Sequence, residues 1–76
     1  MFKRFVKFVI RKEDVIEVID TLSIYGENRI TSMKDGKWYS VSLYCEGRDF
    51  QRLTDDILAL TRDGVSIRKL DIRTRI

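Results

Sequence analysis

The sequence is defined first by the residues that it lacks. It has no histidine and no proline, and one cysteine, one tryptophan and four glycines among 76 residues. The absence of histidine removes the commonest general base, which argues against an enzyme. The lone Cys45 excludes a disulfide within the chain and favours a reducing compartment, so we expect a cytoplasmic protein.

Long apolar runs and biased segments are missing as well. No run approaches the ~20 apolar residues of a membrane-spanning helix, so we expect no membrane span. No stretch rich in proline, glycine or serine divides the chain, and we predict one domain over residues 1–76. Glycine-rich phosphate loops and metal-ligand spacings are also absent, so we expect no cofactor, no metal and no catalytic residue.

A hairpin near the middle of the chain organises the rest. Strand-like runs at residues 28–34 and 37–45 flank the segment Lys34-Asp35-Gly36-Lys37. Asp-Gly favours a tight turn in which both central residues have positive φ. Alternation on the second run separates a core set of side chains from a set on the opposite face. The core set is Tyr39, Val41, Leu43 and Cys45.

A helical pattern lies on each side of this hairpin. The first helix is predicted from about Lys12 to Tyr25, and the second begins near Asp49, its predicted N-cap. Gly26 stands where a left-handed C-terminal cap is expected, and Gly64 closes the second helix. The apolar stripes are Val15, Val18, Ile19, Leu22 and Tyr25 on the first helix, and Phe50, Leu53, Ile57 and Leu60 on the second.

A strand is predicted at each end of the chain, over residues 3–10 and from Val65 toward Ile76. A change of apolar phase in the last strand predicts a bulge near Arg68-Lys69. Apolar positions of the first half recur 35 residues later, so strand–helix–strand occurs twice. This doubling predicts an α+β, ferredoxin-like β-α-β-β-α-β fold. Its antiparallel sheet would have the strand order 4-1-3-2, with both helices on one face.

The first strand has an alternative interpretation. Its apolar residues also fit the spacing of an amphipathic helix lying on a membrane surface. Those residues are Phe2, Phe5, Val6 and Val9. The strand is preferred because the run is short, rich in aromatic and β-branched residues, and echoed later in the chain.

The sheet face opposite the helices is the candidate interaction surface. We expect apolar side chains on its central strands and cations around them, from Phe5, Val9, Trp38, Tyr44, Lys3, Lys7, Arg73 and Arg75. Several apolar residues on adjacent strands favour a contact surface. The alternative is local packing of Phe5 or Trp38 against a sheet edge. Acids concentrate on the helices and bases on the strands, so this side should attract polyanions or acidic proteins.

The whole pattern resembles that of ACT-like small regulatory domains. Glu13 and Asp14 form an acidic start to the first helix, and the second helix ends in the step Gly64-Val65, as in that family. The resemblance implies a regulatory domain that pairs through its sheet. Ligand-binding members usually carry a glycine in the first strand–helix loop, where this chain has Arg11-Lys12-Glu13-Asp14.

The chain also resembles the RNA-recognition motif, in which aromatic rings on the two central strands stack on bases. Phe5, Trp38 and Tyr44 occupy comparable strands, and residues 36–41 are loosely similar to its aromatic-rich signature. We predict a non-enzymatic interaction or regulatory domain that forms a homodimer, through its open sheet face or an edge, or binds a protein partner. The alternative is single-stranded RNA or other nucleic acid bound on the open face.

Overall fold

The computed structural model describes residues 3–75, which form a four-stranded antiparallel sheet and two helices. The strands are β1 (Lys3–Arg11), β2 (Asn28–Ser32), β3 (Trp38–Glu46) and β4 (Arg68–Arg75), and the helices are α1 (Val15–Leu22) and α2 (Phe50–Arg62). Short 3-10 turns flank α1 on both sides and precede α2. The predicted α+β class and the predicted order of elements are confirmed.

β1 and β3 occupy the centre of the sheet, whose strand order is β2-β3-β1-β4. Read from the β4 edge, this order is 4-1-3-2. β1 and β3 pair without interruption from Lys3, opposite Glu46, to Arg11, opposite Trp38. Because β1 is a strand throughout, the alternative of an amphipathic helix at residues 3–11 is wrong. No helix within the described range is long and apolar enough to cross a membrane.

The core lies between the two helices and one face of the sheet. It contains alternate residues of the central strands and the predicted stripes of both helices. Its fully or nearly fully buried members on these elements are Val6, Phe8, Ile10, Val41, Leu43, Cys45, Val18, Leu22, Leu53, Ile57 and Leu60. Burying each large apolar side chain contributes about 1.5–3 kcal/mol, so this one layer supplies most of the driving force for folding.

The hairpin loop differs from the predicted turn. Gly36 has φ 69° and its N–H donates to the carbonyl of Met33 at 2.9 Å, but Asp35 does not share the positive φ. The Asp35 carboxylate instead accepts a hydrogen bond from the N–H of Lys37 at 2.9 Å. Aspartate side chains often close turns in this way. The predicted two-residue turn is therefore wrong, because a side chain rather than a second left-handed residue closes a longer loop.

The glycine after α1 has a different role from the predicted cap. Gly26 has φ 126° and ψ −171°, which is open to glycine but is not the left-handed helical conformation. A β-carbon at this position would lie 3.2 Å from the carbonyl oxygen of Tyr44, so glycine permits close approach to β3. Gly64 closes α2 with positive φ, as predicted. Asp49 precedes α2 as predicted, but its carboxylate makes no capping hydrogen bond.

The last strand begins at Arg68 rather than at Val65. Val65 is only 3% exposed, because the chain after α2 fills the core before it joins the sheet. Leu70 and Ile72 point to the helix side of β4, where they remain 48% and 39% exposed because this edge is incompletely covered. The predicted end of the strand at Ile76 lies outside the described residues.

The register between β1 and β4 shifts near the start of β4. Lys7 lies opposite Asp71, but Val9 lies opposite Arg68, so two residues of β4 face one residue of β1. This is a β-bulge at the predicted place. The first of the two bulged residues, Lys69, has φ 54°. A left-handed conformation costs a residue with a side chain roughly 1–2 kcal/mol, which the surrounding sheet must offset.

A hydrogen bond joins the two helical segments beside the core. The hydroxyl of Tyr25, which is 8% exposed, donates to a carboxylate oxygen of Asp56 on α2 at 2.5 Å. Burial, followed by this hydrogen bond and the negative charge of Asp56, raises the pKa of Tyr25 to about 12. The phenol therefore stays neutral and keeps its proton as a donor.

Truncation of Leu43 should test the core. Leu43 is 2% exposed, so Leu43→Ala should lower the free energy of unfolding by about 2–5 kcal/mol through lost burial and a cavity. Urea unfolding followed by Trp38 fluorescence measures this change. Leu58→Ala is the matched control, since Leu58 is 49% exposed on α2 and should change stability by no more than about 0.5 kcal/mol. Equal losses in both variants would contradict the burial pattern.

Alkaline pH should weaken the fold through Tyr25. Its pKa rises from 10.0 to about 12 on folding, so its stabilising contribution is complete below pH 10 and is lost as pH rises toward 12. Tyr25→Phe should lose about 1–3 kcal/mol at neutral pH and show a smaller decline across that window. Urea midpoints measured across the window test this, with Tyr44→Phe as control because Tyr44 is exposed. An unchanged decline in Tyr25→Phe would refute the assignment.

Candidate functional site

The candidate site is the sheet face turned away from the helices. Residues directly opposite each other on paired strands share a face. Phe5 lies opposite Tyr44 on β3 and Arg73 on β4, and Val9 lies opposite Arg68. These residues point away from the buried set, so the predicted phases of β1 and β3 are confirmed.

One end of this open face carries an aromatic pair. The ring centroids of Phe5 and Tyr44 are 5.1 Å apart and the ring planes are inclined by 51°. A tilted pair of this kind contributes about 0.5–1.5 kcal/mol beyond the area that it buries. Tyr44 is 51% exposed, whereas Phe5 is half-buried. The pair therefore offers mainly the tyrosine ring to a partner.

The other end is occupied by Trp38 and an arginine that crosses the sheet. The Cζ atom of Arg68 lies 4.4 Å from the centroid of the Trp38 ring. Arg68 belongs to β4 and Trp38 to β3, so the arginine side chain must pass over the intervening strand β1. Val9 lies at this crossing and is only 8% exposed. Val9 therefore lies on the predicted face but exposes little surface there, because the cation–π contact draws Arg68 across the strand.

The three aromatic rings do not form one continuous platform. Phe5 and Tyr44 lie together, but Trp38 is six residues from Tyr44 along β3, which corresponds to about 20 Å. Ser40 and Ser42 occupy the same face between them. The structure thus places two separate aromatic sites on the face, one paired with a ring and one paired with a guanidinium.

A cleft of about 250 Å³ lies beside Trp38. The hairpin loop contributes one wall and the β4 bulge contributes another. Its apolar lining comes from Val9, Met33 and Trp38, and its cationic lining includes Arg68 and Lys69. Pockets for drug-sized ligands usually enclose about 300–1,000 Å³, so this cleft has room for about one ring-sized group.

Two of the predicted cations on the face already have acidic partners. The Nζ atom of Lys3 lies 3.9 Å from a carboxylate oxygen of Glu46, and the Nε atom of Arg73 lies 3.3 Å from one of Asp71. Exposed pairs of this kind contribute little stability, about 0–1 kcal/mol each. They do reduce the positive charge at the Phe5 end of the face.

The remaining cations differ from the predicted set. Lys7 is exposed as predicted, and the side chain of Arg75 lies outside the described part of the structure. Arg68 and Lys69 were not singled out as surface residues, and neither was Met33, yet all three line the cleft. The signal that could have found the two cations was the change of apolar phase at this position, because a bulge redirects side chains.

The chemistry of Cys45 gives the open face no nucleophile. Cys45 lies on the core side and is fully buried. Burial, then the charges of Asp49 and Glu46, raise the pKa of its thiol. The thiolate is the reactive form, so this environment suppresses reactivity. Within residues 3–75, no group of three or more Cys, Asp or Glu side chains is placed to hold a metal ion.

Comparisons with known proteins return no match. No protein-family model fits the chain, and neither a curated protein nor a solved structure matches it. The resemblance to ACT-like domains therefore stays a prediction.

Removal of the Arg68 side chain should uncover Trp38. Arg68→Ala should shift the Trp38 emission to longer wavelength and increase its quenching by acrylamide, because the guanidinium no longer covers the ring. Trp38 is the only tryptophan, so steady-state fluorescence measures the change directly. Arg73→Ala is the control, since Arg73 pairs with Asp71 and should leave the emission unchanged. A similar spectrum in both variants would contradict the crossing.

Proposed function

We propose that this chain is a ferredoxin-like interaction domain without enzyme activity, which forms a homodimer by pairing the β2 strands of two copies. The order of elements and the placement of both helices on one side of the sheet support the ferredoxin-like assignment. A reducing compartment such as the cytoplasm suits the buried, unpaired Cys45. The observation that carries the proposal is the difference between the two edges of the sheet.

The β4 edge is poorly suited to pairing with another copy. A bulge interrupts it at Lys69, and bulges are among the features by which natural sheets protect their edges. Arg68, Lys69 and Arg73 also place cations along this strand. Two β4 strands brought together would set like charges near one another, which disfavours association.

The β2 edge is less protected, since it has no bulge and only one cation. Its five residues pair regularly with β3, without a bulge or proline, and leave the other side of the backbone without a strand partner within the described chain. Arg29 is its one charged residue. Regular exposed edges are templates for antiparallel pairing with a second strand.

The sequence of β2 is self-complementary about its centre. In an antiparallel pair with a twofold axis at Ile30, the two Ile30 side chains face each other and Arg29 faces Thr31 of the second copy. Asn28 then faces Ser32, so no like charges oppose each other. A register shift that moved Arg29 onto its own twin would be repelled, which gives the centred register its preference.

Exposed apolar side chains cluster along the chain around this strand. Ile24 is 61% exposed, Ile30 is 41% exposed and Met33 is 36% exposed. Burial of such surface contributes about 25 cal/mol per Å², and a short chain gains proportionally more from a partner than a large one does. The open sheet face offers less, because Val9 and one side of Trp38 are already covered.

A charge at the proposed axis should separate the two copies. Ile30→Lys would place two ammonium groups at the centre of the interface, so we expect a monomer where the wild type is a dimer. Light scattering measures the mass at about 100 µM chain. At this concentration a dimer with a dissociation constant of about 1 µM would be almost fully formed. Ile16→Lys is the matched control, because Ile16 is 77% exposed and belongs to α1 rather than to β2.

Three outcomes would count against edge pairing. The wild type could remain monomeric at this concentration, or Ile16→Lys could separate the copies as well as Ile30→Lys. Phe5→Glu could separate them instead, which would move the interface to the open face. A mass that rises only when a short single-stranded RNA is added at low salt would favour the nucleic-acid alternative.

A further inference from the structure

The cleft beside Trp38 combines features that neither the core nor the proposed dimer edge requires. The indole forms part of its apolar lining, and the Arg68 guanidinium lies 4.4 Å from the ring centroid. An aromatic ring and a guanidinium plane are both surfaces on which planar ligands stack. The cleft therefore has a defined place for a flat ring.

The bulge concentrates positive charge at this same place. In a regular strand, neighbouring side chains point to opposite faces, yet Arg68 and Lys69 both line the cleft. The extra residue of the bulge and the φ of 54° at Lys69 account for this arrangement. Left-handed conformations outside glycine recur at ligand sites, where strain helps to position a group.

The charges around the cleft are not balanced by acids. Lys34 in the hairpin loop adds a third cation to the lining. The lining includes one acid, Asp35, whose carboxylate accepts the N–H of Lys37 within its own turn. Across residues 3–75, the ion pairs within 4.0 Å involve other cations, so none of these three has a carboxylate partner at that range. With Asp35 included, the lining carries three cations and one acid, so an anionic group would meet a net positive charge.

We propose that this cleft binds a nucleotide, either free or at the end of a single strand. Because 4.4 Å between Trp38 and the Arg68 guanidinium leaves no room for a ring between them, the base stacks on a face that the two groups do not share. The phosphate is held by Lys69 and Lys34. The volume of about 250 Å³ has room for about one base. The charged and aromatic lining of the cleft does not depend on the proposed dimer, because no residue of β2 contributes to it; Met33, which follows β2, is the one residue that both proposals use.

Trp38 is the only tryptophan, so its fluorescence reports on the cleft without labelling. The experiment titrates the full chain at low salt with adenosine monophosphate, adenosine, inorganic phosphate and a short oligoadenylate, each up to about 5 mM in nucleotide units. Adenosine monophosphate should quench the emission, and adenosine should bind about tenfold more weakly because a charge-assisted contact is lost. Inorganic phosphate alone should not quench.

Lys69→Gly separates binding from folding. Glycine accepts φ 54° without strain, so the variant should fold at least as stably as the wild type while it loses a phosphate contact. We expect its affinity for adenosine monophosphate to fall about tenfold. Lys3→Gln is the charge-matched control at the far end of the face, where Lys3 pairs with Glu46, and should bind as the wild type does.

The results distinguish the sources of the ligand and the possible failures. Quenching by adenosine monophosphate identifies a free nucleotide, and quenching by oligoadenylate alone identifies a strand end, provided that Lys69→Gly weakens either one. Absence of quenching by both, or equal binding of adenosine and its monophosphate, would overturn the proposal. Ile30→Lys should bind the nucleotide normally, so failure of the dimer and failure of the cleft are recorded separately.

Discussion

The uninterrupted pairing of β1 with β3 is the constraint on which the rest of the structure depends. Its register places Val6 opposite Leu43 and Phe8 opposite Val41, and these four side chains lie at the centre of the sheet side of the core. A slip of one residue would exchange the two faces of the strand completely. The residues that alternate with the core positions must therefore point to the opposite face. The register that packs the buried face thus also decides which residues lie on the open face.

The fold was predictable from the sequence because apolar residues alternate regularly on the strands and follow helical spacing on the helices. The same order of strand, helix and strand also occurs twice. The contents of the open face were harder to predict because they depend on long side chains rather than on strand phase. Phase alone placed Val9 on the correct face, but it could not show that Arg68 would reach across β1 and cover it. The prediction of a tight turn at Asp35 was wrong for a related reason. A hydrogen bond to the Asp35 carboxylate closes the loop, in place of a second residue with positive φ. The Tyr25–Asp56 hydrogen bond joins residues 31 apart, which no local pattern reveals.

The two halves of the open face differ in what holds them. At one end, Phe5 and Tyr44 pair with each other, and nearby lysine and arginine side chains have acidic partners. At the other end, a cation rather than a ring covers Trp38, and an open cleft remains beside it. At the Phe5 end, the aromatic rings pair with each other and the cations pair with acids. The Trp38 end retains both aromatic surface and positive charge. This asymmetry favours the Trp38 end, rather than the Phe5 end, as the place for a ligand.

The bulge in β4 accommodates one extra residue, so that the residues on both sides of it stay in phase with β1. It adds one residue between Arg68 and the rest of the strand, and thereby keeps Asp71 and Arg73 on the open face while Ile72 turns toward the helices. Without Lys69, β4 would have no extra residue and would need no bulge. Regular alternation would then place Asp71, Ile72 and Arg73 on the same faces as before. Deletion of Lys69 would thus leave the core unchanged, while it would alter the wall of the cleft and remove the irregularity that protects the β4 edge.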